Sequence, residues 1–293
     1  MNLKYNKTEV IELKSQLFEQ IGVRVVVKRE DLNHAFISGN KWWKLKYNLE
    51  EAQKLTAKRI LTFGGSYSNH LFATAAASYE LNLECIGVVR GEETLPLNST
   101  LAFAKEKGMQ LHYVSREQYR KKNESEFIKE LHSKFGDFYL IPEGGTNELA
   151  VKGCSEFAAG LEKEIDFNYL CLAVGTGGTI AGMINGLNNE QQIIGFSSLK
   201  GGNFLIDEVK PFVNPTKTNW IINTDYHFGG YAKLTEELKS FIQKMKINHQ
   251  LPLDKVYTAK MVFGVFDLIE KKYFKRGSTI LLLHTGGLQG NYE

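Results

Sequence analysis

The sequence predicts an α/β protein built on two doubly wound, mostly parallel sheets, and three observations carry that prediction. Apolar runs and helical patterns alternate along most of the chain. The runs are short and continuously apolar, as in 59–63 (RILTF) and 279–283 (TILLL); strands read this way when a parallel sheet is covered on both faces. Glycine-rich turns follow several of these runs and open helices, at the strand ends where open α/β sheets take their ligands.

In order, a short helix or cap is expected over 8–19 and a β-branched strand over 23–28. A charged turn, Lys28-Arg29-Glu30-Asp31, leads to Ser38-Gly39-Asn40-Lys41 and then to a helix with apolar positions Leu45, Leu49 and Ala52. Strands over 59–63, 84–89, 110–114 and 138–141 alternate with helices over 68–79, 99–107 and 117–134. Repeated βα units imply right-handed crossovers and a doubly wound sheet. Glu143-Gly144-Gly145-Thr146-Asn147 breaks this series and starts a helix over 148–161. A second series follows, with strands over 169–174, 192–197, 219–223 and 279–283 and a helix over 180–188. No low-complexity linker or short repeat marks a boundary.

The chain has 293 residues, 43% hydrophobic and 24% charged, with a net charge of +3. That is ordinary globular composition with length for a large core. No basic cluster is interleaved with aromatics, so nucleic acid is not an expected partner. Cys85, Cys154 and Cys171 show no Cys-x-x-Cys spacing; buried free thiols and a reducing compartment are expected. Residues 1–7 lack an apolar signal core, and no apolar run approaches a membrane span. The expectation is a cytoplasmic protein with no membrane partner.

The chemistry starts at Lys41, just after a small-residue turn and at a helix start. Free N–H groups and partial positive charge gather there, which favours a neutral, reactive lysine and a nearby anion. A neutral amine can form a Schiff base with an aldehyde, as in pyridoxal-phosphate proteins. Gly64-Gly65-Ser66-Tyr67-Ser68-Asn69-His70 and Gly175-Thr176-Gly177-Gly178-Thr179 each stand between a strand and a helix, where backbone N–H groups converge on a phosphate. His284-Thr285-Gly286-Gly287 follows the last strand.

On these motifs the chain resembles the 1-aminocyclopropane-1-carboxylate (ACC) deaminase and D-cysteine desulfhydrase family, over about 25–290. The resemblance implies the tryptophan-synthase-β-like fold, fold type II of the pyridoxal-phosphate enzymes. It implies a large cofactor-binding domain, 1–43 plus 142–293, and a small inserted α/β domain, 44–141, with pyridoxal 5'-phosphate between them. It makes Lys41 the Schiff-base lysine and proton shuttle. It makes Lys44 and Gly175, Thr176, Gly177, Gly178 and Thr179 the phosphate site. Asn69 is assigned to the pyridine 3-oxygen, and Ser68, Asn69 and His70 to the substrate. Tyr231 and Tyr257 match two active-site tyrosines of the family. His227 receives no role and reads as structural, and Asn203 and Phe204 belong to a loop without an assigned role.

Two departures bear on substrate. ACC deaminases carry glutamate after the second tyrosine, facing the pyridine nitrogen, and leucine after the late histidine; this chain has Thr258 and Thr285. Small hydroxyl residues there resemble the D-cysteine desulfhydrases. A carboxylate would keep the pyridine nitrogen protonated and deepen the electron sink. Its replacement favours β-elimination of a small amino acid, with ACC deamination as the alternative. A non-catalytic pyridoxal-phosphate carrier is a third reading. A nicotinamide dehydrogenase would need Gly-x-Gly-x-x-Gly, which 175–179 lacks. A homodimer is expected by analogy of fold.

Overall fold

The computed structural model describes residues 3–291, so residues 1, 2, 292 and 293 of the expected large domain lie outside the described residues. Two sheets are present. A six-stranded sheet has the order β1-β2-β10-β7-β8-β9, and a four-stranded sheet the order β5-β4-β3-β6. The six are β1 (Val10–Leu13), β2 (Arg24–Lys28), β7 (Tyr169–Val174), β8 (Gln192–Ser197), β9 (Trp220–Asn223) and β10 (Thr279–Leu283). The four are β3 (Arg59–Gly65), β4 (Glu84–Arg90), β5 (Met109–Val114) and β6 (Tyr139–Ile141). Pairing is parallel throughout except between β1 and β2. β10 inserts between β2 and β7, with Leu281 opposite both Val26 and Leu170.

The helices, in order, are α1 (Gln16–Ile21), α2 (Asn40–Lys54), α3 (Asn69–Glu80), α4 (Ser99–Glu106), α5 (Arg116–Arg120), α6 (Ser125–Phe135), α7 (Glu148–Leu161), α8 (Gly178–Gly186), α9 (Leu205–Val209), α10 (Glu236–His249) and α11 (Thr258–Glu270). None is long and apolar enough to cross a membrane among the described residues. One continuous core joins Val26 and Leu281 of the larger sheet to Ile60 and Leu71 on the smaller one. α2 packs on α7 and also touches α3. It is unbroken through 43–44, so the expected boundary there falls inside a helix. All three cysteines are free and buried.

Two expected elements differ. The helix over 8–19 is instead strand β1 followed by α1. Val10–Leu13 pairs with β2, and pairing with a distant strand overrides local preference. Ser15 then caps α1 and Gly22, at φ 77, ends it. The single helix over 117–134 is two, because the chain turns at 121–124. Glu143 draws in both sides of that turn: Tyr119 donates to its Oε1 at 2.8 Å, and Lys122 lies 3.3 Å from its Oε2.

What the fold delivers is convergence. The carboxyl ends of β3, β7 and β10 present their glycine turns to the start of α2, and ligands bind at such strand ends.

Candidate active site

Lys41 is held by a network that begins at Glu30. That carboxylate is buried and accepts from Tyr5 Oη (3.0 Å), Thr8 Oγ1 (2.6 Å), Asn33 Nδ2 (2.9 Å) and Trp43 Nε1 (2.8 Å). Buried charge is tolerated when its hydrogen-bonding capacity is met in this way. Asn33 in turn brackets Gly39: its Oδ1 accepts the Gly39 N–H at 2.9 Å and its Nδ2 donates to the Gly39 carbonyl at 3.0 Å. Gly39, at φ 69, abuts the Thr285 carbonyl. α2 therefore starts at a fixed point, with Lys41 in its first turn.

The Lys41 amine donates to Asn40 Oδ1 at 2.9 Å, and Asn40 Nδ2 donates to Thr179 Oγ1 at 2.7 Å. Burial lowers the Lys41 amine to about 8, against the opposing pull of Cys154 and Asp254. A neutral fraction is thus available near neutrality, which an amine nucleophile or base requires.

One turn on, Lys44 is buried beside the second glycine turn. Its amine donates to Thr146 Oγ1 (2.9 Å) and Thr176 Oγ1 (3.3 Å), and those hydroxyls are 2.6 Å apart. Gly177, at φ 83, turns the chain into α8, and no side chain caps that helix. A Cβ at Gly178 would lie 3.1 Å from Lys44 Nζ and 2.9 Å from Thr146 Oγ1. An uncapped helix start, two hydroxyls and a lysine around a position that admits no side chain make an anion cradle. Of the five residues 175–179, Thr176 and Gly178 face Lys44, Gly175 faces Tyr257, and Thr179 faces Asn40.

Burial, and then the neighbouring Lys41, lower the Lys44 amine to about 7. An anion favours the ammonium form. Above pH 7, anion binding must therefore draw a proton from solvent, and affinity should fall as pH rises. Lys44→Met is expected to weaken phosphate binding about tenfold or more, the loss of a charge-assisted contact. It should also flatten the pH dependence above 7. Cofactor titration of stripped protein between pH 6.5 and 9 checks both.

Ser68 caps α3, its Oγ accepting the Leu71 N–H at 3.2 Å. Asn69 Oδ1 accepts from Gln289 Nε2 at 2.6 Å, and its Nδ2 lies 2.6 Å from where a Cβ on Gly287 would stand. Gly287 thus makes room for Asn69. His70 is buried, with Nε2 2.8 Å from Thr62 Oγ1. Thr62 donates its own proton to the Ile141 carbonyl at 2.8 Å, so the network assigns the imidazole proton to Nε2. Nδ1 is then a buried acceptor with no partner. Burial, Lys44 and Lys41 hold the imidazole pKa well below its usual value. The ring thus presents an acceptor at Nδ1.

Tyr257 is set by Asp254, a buried carboxylate without an expected role. Its Oδ1 accepts the N–H groups of Tyr257 (2.6 Å) and Thr258 (2.8 Å), and its Oδ2 that of Val256 (3.2 Å). Burial raises the Asp254 carboxyl against those bonds. The Tyr257 ring lies on Gly175, where a Cβ would be 3.2 Å from Cε1. Tyr231 meets it with ring centroids 6.0 Å apart at 68°. Burial first, and then the other phenol, pushes Tyr257 well above its usual value; burial also raises Tyr231. Both stand as protonated phenols, able to donate. Thr258 is fully buried and its Oγ1 accepts the Asp254 N–H at 2.8 Å. Thr285 enters through its carbonyl, which accepts the Asn40 N–H at 3.4 Å. Asn203 accepts from Thr224 at 3.3 Å, and Phe204 is exposed.

Sequence reasoning thus missed Asp254, Thr146 and the Glu30–Asn33 pair. Asp254 had a signal, since an Asp just before the apolar helical pattern of 258–270 reads as a cap. Thr146 and Glu30 had none, because their partners are remote in sequence.

A family model described as pyridoxal-phosphate dependent enzyme matches residues 1–286. A protein of Pyrococcus horikoshii, provisionally assigned as a 1-aminocyclopropane-1-carboxylate deaminase, is 31% identical over 97% of this chain and 90% of its own length. The mitochondrial bifunctional D-cysteine desulfhydrase/1-aminocyclopropane-1-carboxylate deaminase of Arabidopsis thaliana is 32% identical over 93% of this chain and 74% of its own length. A crystal structure of an ACC deaminase homologue superposes with a TM-score of 0.83 at 30% identity, covering 99% of this chain and 92% of that one. The chain therefore belongs to the pyridoxal-phosphate dependent enzymes of fold type II, in the family of the ACC deaminases and D-cysteine desulfhydrases.

Proposed function

We propose that this enzyme catalyses β-elimination from a small amino acid, D-cysteine before others, giving pyruvate, sulfide and ammonia with uptake of one water. The observation that carries the reading is the surroundings of Thr258. The position after Tyr257 offers a buried hydroxyl already bonded to Asp254, and both Asp254 oxygens are taken by backbone N–H groups. The position itself thus offers a pyridine nitrogen a hydroxyl and not a carboxylate. A thiol leaving from Cβ needs a weaker electron sink than a cyclopropane does.

The residues fit pyridoxal phosphate. The cradle of Lys44, Thr146, Thr176 and the start of α8 suits its phosphate, and the Lys41 amine suits its aldehyde. When bound, the cofactor supplies the sink for negative charge developing at the substrate Cα. Lys41 takes the Cα proton and passes it on to solvent, while the thiolate leaving Cβ takes its proton from a phenol that solvent re-protonates. Ser68, Asn69 and the N–H groups opening α3 orient the substrate carboxylate. His70 would meet the substrate through Nδ1, the ring nitrogen without a partner among the described residues. Tyr231 and Tyr257, as protonated phenols, would donate protons toward the departing group. Thr258 and Thr285 act by leaving the ring nitrogen's side without charge.

ACC deamination to 2-oxobutanoate is the second reading, favoured by the two protonated phenols, which could assist ring opening as acids. Release of sulfide and pyruvate from D-cysteine, with none from L-cysteine and no 2-oxobutanoate from ACC, is the expected result for purified holoenzyme. Turnover of ACC in preference to D-cysteine would overturn the first reading. The reading also includes the division into 44–141 and 1–43 plus 142–293, supported by the separate four-stranded sheet within 59–141. A reducing, cytoplasmic setting is supported by three free buried thiols, and a homodimer by analogy of fold.

A further inference from the structure

We propose that Lys260 is a positioning residue for Tyr231: its buried amine holds the loop 227–231 by two backbone carbonyls and thereby keeps the Tyr231 phenol against Tyr257. The role of Tyr231 in turnover rests on the proposed function; the latch itself does not.

Packing holds the loop at Phe228, whose ring meets Phe263 of α11 with centroids 4.9 Å apart; elsewhere the backbone takes conformations that need support. Phe228 (φ 51), Gly229 (φ 91), Gly230 (φ 121) and Ala232 (φ 55) all lie in the left-handed half of backbone space. Such conformations persist only where the surroundings impose them. Tyr231 is 40% exposed, and its ring is held at Tyr257 rather than within the core. Inside the loop, the Gly229 N–H donates to His227 Nδ1 and the Gly230 N–H to the His227 carbonyl, each at 2.9 Å. The Lys233 N–H reaches the Gly230 carbonyl at 3.1 Å. His227 thus does have a structural part, but these bonds shape the loop without tying it to the rest of the molecule.

Lys260 ties it. Its Nζ donates to the His227 carbonyl at 2.9 Å and to the Gly230 carbonyl at 2.7 Å, and the residue is 1% exposed. Lys260 stands in the first turn of α11, three residues after Tyr257. Asp254 fixes that same helix start. One rigid helix end therefore sets Tyr257 directly and Tyr231 through the amine. Burying an amine is costly unless its donors are met, and the two loop carbonyls meet two of three. Burial lowers this amine to about 8 while Asp254 opposes the shift; the neutral form still has two N–H groups for the two carbonyls, so the latch survives its titration.

The test compares Lys260→Met, which keeps the apolar stem, with the unaltered holoenzyme in two ways. Amide hydrogen exchange at Gly229, Gly230 and Lys233 should speed up about tenfold or more, with the α11 amides beyond the first turn unchanged. In steady-state turnover, kcat should fall about tenfold with KM within about threefold. In a Tyr231→Phe background the same Lys260→Met change should cost less than about twofold, since the group it positions is already gone. Equal losses in both backgrounds would mean a purely structural lysine, and unchanged loop exchange would mean no latch; either overturns the proposal. Should Lys260→Met fail to fold, Lys260→Gln, which retains an N–H donor of shorter reach, is expected to show intermediate exchange, and native exchange rates there overturn the idea equally. If no amino acid is turned over by the unaltered protein, the proposed function fails, while the exchange measurement still decides this proposal.

Discussion

Lys41→Ala is expected to lower kcat/KM by about 10³-fold or more, the scale of a positioned acid–base group lost outright. It should also end covalent retention of the cofactor, because no other lysine combines a lowered amine pKa with this placement. Lys44 is the nearest candidate for substitution, yet its amine is spent on Thr146 and Thr176. Lys260 also has a lowered amine, but it is bonded beneath the 227–231 loop. Borohydride reduction followed by peptide mass analysis should place the cofactor's mass on the Lys41 peptide of the unaltered enzyme and on no peptide of the variant. Phosphate affinity should survive in the variant, since the cradle is separate from Lys41. It should even strengthen at pH 8, because removing the Lys41 charge relieves one of the two causes that lower Lys44. Retention of the cofactor's mass on another peptide, or a loss under tenfold, would take Lys41 out of its role.

Fold and site are partly legible in the sequence. Strands 169–174, 192–197 and 279–283 have the bounds expected from their continuous apolar runs, because each is covered on both faces. The motifs around Lys41, Asn69 and Gly178 were legible because each is local: a glycine turn between a strand and a helix declares itself in a few residues. The failures have more than one cause. Val10–Leu13 is a strand only because β2 lies beside it. α10 went unread, most of it being exposed, with Leu238 and Met245 its buried positions. α11 went unread although an apolar helical pattern runs over 258–270. In the site, Lys44 finds Thr146 across 102 positions and Lys260 finds His227 across 33. No spacing rule in the chain announces such pairs. His70 shows the limit from the other side: its proton's location depends on Thr62 and the Ile141 carbonyl, both outside the motif.

Gly39→Ala is expected to cost about 4 kcal/mol of stability or more, a loss that single substitutions reach only by a backbone clash, a buried orphan or a large cavity. Gly39 sits at φ 69 and ψ −143, a region that is close to glycine-only. A Cβ there would stand 1.9 Å from the Thr285 carbonyl oxygen and 2.3 Å from its carbon. Those are backbone atoms just past β10, which pairs on both sides with β2 and β7, so the obstacle cannot rotate away. Relief must come from moving the start of α2, which breaks the two bonds from Asn33 and carries Lys41 with it. The variant should therefore lose activity even well below its melting temperature, while its far-ultraviolet dichroism stays native. Gly277→Ala is the control. It also has a positive φ, at 84, but a Cβ there meets nothing within 4 Å, so it should cost only about 1–2 kcal/mol for the backbone and leave kcat unchanged. Denaturant unfolding of the two variants side by side measures the difference. If Gly39→Ala proves no worse than Gly277→Ala, the turn is not what holds Lys41 in place, and the Glu30–Asn33 network would have to do so alone.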